Sequence, residues 1–222
     1  MSDRPRIAVV DYGMGNRRSV QKALERMGAR AEITRDPEAL RSSDGLLVPG
    51  VGAFPLAMRN LSSLGLADVI RTRAEEGTPL LGICLGMQLL FERSEELKPT
   101  EGLGLIRGQV TWLETSGLRV PHIGWNEVSF ERASPLTAGL SPAGCAFYHV
   151  HSLAPRPSAR EDVVGSTEYG ERFATMVERG SVFGVQFHPE KSSAHGLTLL
   201  GNFVALCGQR RAADLSAASA RA

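Results

Sequence analysis

Through the first half of the chain, short apolar runs alternate with stretches of helical periodicity, a pattern that few folds can accommodate. Ile7-Ala8-Val9-Val10 is a run of strand length and is followed by a turn at residues 11–16. Val20, Ala23, Leu24 and Met27 then recur at helical spacing and stop at Gly28, a residue suited to the left-handed conformation that ends helices. Residues 31–34 and 45–48 read as further strands, 67–76 as a helix, and 80–83 as another buried run. Strands that alternate with helices in this way predict a parallel sheet covered on both faces. From Leu105 onward the chain turns to short strands separated by Gly, Pro and Ser: residues 110–113, 126–130, 146–151, 163–167, 173–177 and 182–187. These are expected as antiparallel additions to the same sheet, and Leu197, Leu200 and Val204 mark a closing helix. The expected architecture is α/β, a three-layer α/β/α sandwich with a mixed, mainly parallel central sheet. It forms one domain over residues 1–208, and the Ala-, Ser- and Arg-rich residues 209–222 are expected to be a disordered tail.

Composition narrows the function classes. A chain of 222 residues can bury one sizeable core but not two full-sized ones. With 25 Lys and Arg against 24 Asp and Glu, the net charge of +1 argues against a nucleic-acid surface. No apolar run approaches the roughly 20 residues that span a bilayer, so no membrane association is expected. The polar start leads straight into a strand, so no secretory leader is expected either. Cys84, Cys145 and Cys207 are too scattered for a disulfide framework or a Cys-rich zinc site. The expectation is a reduced, soluble, cytoplasmic enzyme.

Gly82-Ile83-Cys84-Leu85-Gly86-Met87-Gln88 lies where the strand over 80–83 ends and a helix over 87–91 is expected to begin. A reactive residue flanked by glycines at such a junction is a nucleophile elbow, here with Cys in place of Ser. The tight turn excludes side chains two residues to either side, hence Gly82 and Gly86, and the Leu85 N–H points to where an oxyanion forms. A thiol nucleophile needs a proton carrier held by a carboxylate or amide. Among the five histidines, His188 in Phe187-His188-Pro189-Glu190 stands at a strand end, with Glu190 across a stiff proline. Strand carboxyl ends are where α/β sheets place their sites, so Cys84, His188 and Glu190 form the expected triad. His195 is expected to be exposed at the start of a helix. His122, His149 and His151 are not spaced as a metal cluster, so neither metal nor cofactor is expected. Pro49-Gly50-Val51-Gly52 follows another strand and could form the second wall of an oxyanion hole, since a glycine pair permits close approach or a peptide flip.

Gly-Ile-Cys-Leu-Gly-Met-Gln together with His-Pro-Glu resembles the class I, triad-type glutamine amidotransferases. Asp11-Tyr12-Gly13-Met14-Gly15-Asn16, Pro49-Gly50-Val51-Gly52, Pro121-His122-Ile123-Gly124-Trp125-Asn126 and His188-Pro189-Glu190-Lys191-Ser192 resemble, within that class, the glutaminase subunits of imidazole glycerol phosphate synthases. The resemblance covers nearly the whole of residues 7–207. It implies hydrolysis of glutamine to glutamate and ammonia for histidine biosynthesis. The ammonia would pass to a (β/α)8-barrel cyclase partner that makes imidazole glycerol phosphate and an aminoimidazole carboxamide ribotide. By position it implies catalysis by Cys84, His188 and Glu190, and an oxyanion hole from Gly50, Val51, Gly52 and Leu85. Gly52, Gln88, Glu96 and Ser152 would bind glutamine, and Tyr12, Asn16, Trp125, Asn126, Tyr148 and Lys191 would face the cyclase. Arg17, His149 and Leu153 depart from the residues expected there. A glutaminase for pyridoxal phosphate or anthranilate synthesis, a non-catalytic scaffold, and a cysteine peptidase or γ-glutamyl hydrolase are the alternatives.

Overall fold

The computed structural model describes residues 4–219. The first half alternates strand and helix: β1 (Arg6–Val10), α1 (Arg17–Arg26), β2 (Arg30–Thr34), α2 (Pro37–Arg41), β3 (Gly45–Gly50), α3 (Phe54–Ser63), α4 (Leu66–Glu75), β4 (Leu80–Cys84) and α5 (Leu85–Leu89), with α2 and α3 as helices the sequence reading had not placed. The second half holds β5 (Phe91–Ser94), β6 (Thr100–Glu101), β7 (Ile106–Trp112), β8 (His122–Phe130), β9 (Cys145–His151), β10 (Leu153–Pro157), β11 (Val163–Tyr169), β12 (Glu171–Arg179), β13 (Val182–Val185) and the closing α6 (Ser193–Ser219).

Among the described residues, nine strands form the main sheet in the order β2-β1-β3-β4-β13-β12-β11-β8-β9. The run from β2 to β13 is parallel, and from β13 to β9 every pairing is antiparallel. Side chains divide with a period of two, as a strand covered on both faces requires. Ile7 and Val9 pack with Val20 and Leu24 of α1 and Phe203 of α6, whereas Ala8 and Val10 pack with Phe54 and Met58 of α3 and Val69 and Ile70 of α4. Two helical layers therefore enclose the sheet.

Three expectations are corrected. The strand around Val110 does not extend the main sheet. It is β7 of a separate four-stranded sheet, β10-β7-β5-β6, whose Phe91, Ile106, Val110 and Leu153 join the core on the α3–α4 side. β10 carries Pro155 and Pro157, which lie on an edge of that sheet where a missing N–H is tolerated, and which hid the strand in the sequence. The helix after Cys84 spans Leu85–Leu89 rather than 87–91. It stops because Phe91 pairs with Ile106 of β7, and periodicity cannot tell strand from helix in so short an apolar run. Finally, the segment expected to be a disordered tail continues α6 as far as Ser219. Arg210 Nη1 donates to the Glu76 carbonyl (2.7 Å) and Arg211 Nη1 to Asp44 Oδ2 (3.1 Å), which ties that turn of helix to the body. Residues 220–222 of the expected tail lie outside the described residues. No helix among the described residues is long and apolar enough to cross a membrane.

Candidate active site

The register of three parallel strands assembles the site. Gly50 at the end of β3 is paired with Cys84 at the end of β4, and Val185 at the end of β13 is paired with Ile83. Gly50, Cys84 and Gln186 thus stand side by side at the carboxyl edge of the sheet. Cys84 takes φ 54° and ψ −113°, a left-handed-side conformation that a non-glycine residue adopts only when its surroundings enforce it. The close packing of this turn against β3 leaves the flanking positions no room for a side chain. A side chain at Gly86 would place Cβ 1.8 Å from the Val48 carbonyl oxygen, and one at Gly82 would place it 2.5 Å from the Gly86 carbonyl oxygen. The flanking glycines let β4 turn into α5 against β3, and the turn presents Cys84 to a cavity of about 290 Å³. Val51, Gly52, Leu85, Gln88, Glu96 and Ser152 line this cavity with Cys84 and His188, so nearly all the expected oxyanion and substrate residues converge on it. Its volume sits at the small end of ligand sites and suits a single amino acid.

His188 follows β13 and precedes a single 3-10 turn, Pro189–Lys191. That turn brings Glu190 Oε1 back to within 2.9 Å of His188 Nδ1. The Glu190 carboxylate is wholly shielded from solvent, and Asn16 Nδ2 donates to its Oε1 at 3.3 Å. Burial alone would lower the pKa of His188, but hydrogen bonds to Cys84 and Glu190 and their negative charge overcome it and raise the pKa to about 9. The surroundings therefore favour an imidazolium beside the sulfur. The backbone of His188 is also fixed, since its N–H donates to the Tyr148 carbonyl (2.8 Å) and its carbonyl accepts from Ser192 Oγ (2.7 Å).

The remaining site residues are more constrained than their sequence positions suggested. Glu96 Oε2 accepts from the Phe54 N–H at 2.6 Å, so this carboxylate caps the start of α3 as well as lining the cavity. Both Nε2 hydrogens of Gln88 are taken, one by the Leu153 carbonyl (3.3 Å) and one by Gln186 Oε1 (3.0 Å). Gln186, which the sequence reading passed over, is completely buried and points Nε2 at Cys84 Sγ, 3.7 Å away. Its position two residues before His188 was the available signal, because alternate residues of an extended segment face the same way.

Tyr12 is corrected. Expected at a partner surface, it is 1% exposed, and its hydroxyl donates to the Pro49 carbonyl at 2.6 Å. Burial, reinforced by the charge of nearby Cys84, pushes its pKa far up, so it remains a neutral donor under the Gly50 strand end. The other residues expected at that surface differ in exposure. Trp125 (55%) and Lys191 are exposed, Tyr148 is half-buried edge-on to Trp125, and Asn16 is half-buried against Glu190. Asn126 is half-buried, with Nδ2 donating to the Glu168 carbonyl at 2.9 Å. Ile123 (60% exposed) shares a face of β8 with Trp125, and the strand begins just after Pro121, which lines the cavity.

Three histidines dispersed in the sequence meet in the interior. His122 Nδ1 and His151 Nε2 are 3.1 Å apart, and the His122 ring stacks on His149. Pairing of β8 with β9 sets His122 opposite His151 and Gly124 opposite His149. Burial and mutual repulsion lower the pKa of His149 to about 2, and burial lowers that of His151 to about 3. The rings are neutral and hydrogen-bond as such. His195 is exposed in α6.

The arrangement places a strained cysteine beside a buried His–Glu pair and a small cavity, which is chemically able to cleave an amide by nucleophile and base. Residues 8–207 match the family described as Glutamine amidotransferase class-I, and the chain belongs to it. In fold it resembles a crystal structure described as a glutamine amidotransferase (TM-score 0.71, 24% identity, 90% of this chain and 98% of the other). It also resembles PurLQS from Thermotoga maritima (TM-score 0.72, 21% identity, 91% and 98%). Within the class its kinship is with one subunit type. It is 54% identical to imidazole glycerol phosphate synthase subunit HisH of Moorella thermoacetica, over 89% of this chain and 93% of that protein. It is 47% identical to HisH of Aquifex aeolicus, over 89% and 95%.

Proposed function

We propose that this chain hydrolyses glutamine and delivers the ammonia to a (β/α)8-barrel cyclase subunit. The cyclase makes imidazole glycerol phosphate and aminoimidazole carboxamide ribotide in histidine biosynthesis, and the pair works as a heterodimer. The observation that carries the chemistry is Cys84 held at φ 54° beside a cavity shared with the buried His188–Glu190 pair. Similarity to HisH proteins supports this acceptor over a pyridoxal phosphate or anthranilate synthase.

In this mechanism Cys84 Sγ attacks the side-chain carbonyl carbon of glutamine. The oxyanion is met by the N–H of Leu85 and by one from the Gly50–Val51–Gly52 segment. His188 gives its proton to the departing ammonia, which leaves a γ-glutamyl thioester. It then takes a proton from the water that cleaves this thioester and releases glutamate. Glu190 keeps the imidazole oriented and stabilises its cation, and Asn16 holds Glu190 in turn. Glu96 offers its second carboxylate oxygen to the substrate ammonium. Gln88, both of its N–H groups being occupied, offers only Oε1, and Ser152 contributes backbone to the wall.

The cyclase docks on the exposed face of β8 that carries Ile123 and Trp125, and on Lys191. Tyr148, whose carbonyl holds the His188 N–H, links that face to the triad. The oxyanion segment is adjustable: Gly52 has φ 112° and lies over Met14, so a peptide there can present or withdraw a donor. A cyclase and its ligand that bind the donating form more tightly shift the population toward it, so the free chain is poorly active. Cys84→Ala should abolish glutamine hydrolysis in the complex while synthesis from added ammonium salts persists. Glutamate release by that variant at the parent rate would remove Cys84 from the mechanism.

A further inference from the structure

The sulfur of Cys84 lies between two groups that pull its protonation in opposite directions. On one side the Val150 carbonyl oxygen stands 3.7 Å away, where it accepts the S–H of the thiol and repels a thiolate. On the other, Gln186 Nε2 also stands 3.7 Å away and can only donate. A buried primary amide could in principle face the sulfur with either end, and the neighbouring groups decide which. The Leu153 carbonyl has no proton to give, so Gln88 must turn its NH2 toward it. The second hydrogen of the same nitrogen then falls on Gln186 Oε1, and Nε2 of Gln186 is left facing Cys84. A backbone carbonyl thus dictates, through two amides, that the sulfur meets a donor.

We propose that Gln186 is a working part of the nucleophile, solvating the Cys84 thiolate through Nε2 with its direction set by Gln88. Hydrogen bonds to an ionised acceptor are about twice as strong as neutral ones, and the site is shielded from water, so this donor favours the anion over the thiol. It offsets the Val150 carbonyl, which favours the thiol. The inference rests on the reading of Cys84 as the nucleophile. The titratable groups around the sulfur are His188 and Tyr12, with His151, Glu96 and Lys191 across the cavity. Gln186 itself bonds Gln88, Cys84 and, through its backbone N–H, the Thr175 carbonyl, so its replacement leaves those groups in place.

The test is the pH dependence of Cys84 alkylation by iodoacetamide on the full chain, with the modified residue identified by peptide mass. Gln186→Met keeps the volume and removes the donor. The acid-side midpoint of alkylation should rise by about one pH unit, and the turnover number for glutamine in the complex should fall about tenfold with KM changed less than about twofold. An unmoved midpoint in a folded Gln186→Met protein overturns the inference, since a residue that merely packs would leave the thiol's titration alone. Gln88→Met, which frees the amide of Gln186 to turn, should move the midpoint in the same direction by less. If Gln186→Met does not fold, an unmoved midpoint in Gln88→Met overturns the proposal on its own. Labelling of Cys145 or Cys207 in place of Cys84 in the unaltered chain would instead sink the reading of the site itself.

Discussion

His149 is fully buried on β9, with Nε2 on Thr175 Oγ1 (2.8 Å) and Nδ1 on the Phe147 carbonyl (3.1 Å). Burial first, and then the neighbouring His151 and His122, hold its pKa at about 2 in place of the usual 6.5. Folding therefore takes place with this ring neutral, whereas the unfolded chain binds a proton there below pH 6.5. Because the folded pKa is depressed, the stability is present above pH 6.5 and is lost progressively as pH falls toward 2. Between pH 7 and 5 the loss depends almost wholly on the unfolded pKa and amounts to about 2 kcal/mol from this residue. His149→Phe removes that share. It also leaves the Thr175 hydroxyl, itself fully buried, without its partner, at a cost of about 1–3 kcal/mol at either pH. The informative quantity is thus the difference between pH values, not the absolute stability. Urea unfolding at pH 7 and pH 5 should show the variant losing about 2 kcal/mol less than the parent on acidification, equivalent to about 4–8 °C less decline in melting temperature. Equal losses in both proteins would mean that His149 is protonated in the native state, and the burial argument would fail.

Gly86→Ala should lower stability by about 3 kcal/mol or more, because the new Cβ meets the backbone oxygen of Val48 and neither α5 nor β3 can yield; a melting temperature within about 2 °C of the parent would refute the steric account of the elbow. Glu96→Gln retains an acceptor for the Phe54 N–H but removes the charge, so KM for glutamine should rise about 10- to 100-fold with an unchanged melting temperature, and an unaltered KM would take Glu96 out of substrate binding. Trp125→Ala should weaken cyclase binding, measured by calorimetry, about 30-fold or more, while Cys84 alkylation in the free chain stays the same. Undiminished affinity would move the docking face elsewhere.

Much of the site was legible because its signals are local. Gly82 and Gly86 bracket Cys84 for a steric reason that operates within one turn of chain, and His188 reaches Glu190 across a single proline. The second sheet was not legible. β6 has two residues, β5 starts directly after a helix in an unbroken apolar run, and β10 holds two prolines, so each lacks the period on which a strand is recognised. The continuation of α6 escaped for a different reason. Arg210 and Arg211 make a weakly apolar segment stable by reaching Glu76 and Asp44, which are distant in sequence.

The alternation of strands and helices, the covered parallel half of the sheet, and the Cys, His and Glu brought to its edge were all readable from local sequence, because periodicity, turn sterics and short motifs act over a few residues. What each side chain meets depends on packing between segments far apart in the chain. The resemblance sets Tyr12 toward a partner, yet it is sealed beneath Pro49. His122, His149 and His151 read as separate and become a neutral stacked cluster when β8 pairs with β9. Gln186 reads as one polar residue in an apolar strand end, and it acquires its direction from a carbonyl at Leu153 through Gln88. Such assignments depend on strand register and on which donors and acceptors burial leaves available, and both are settled only when distant segments pack together.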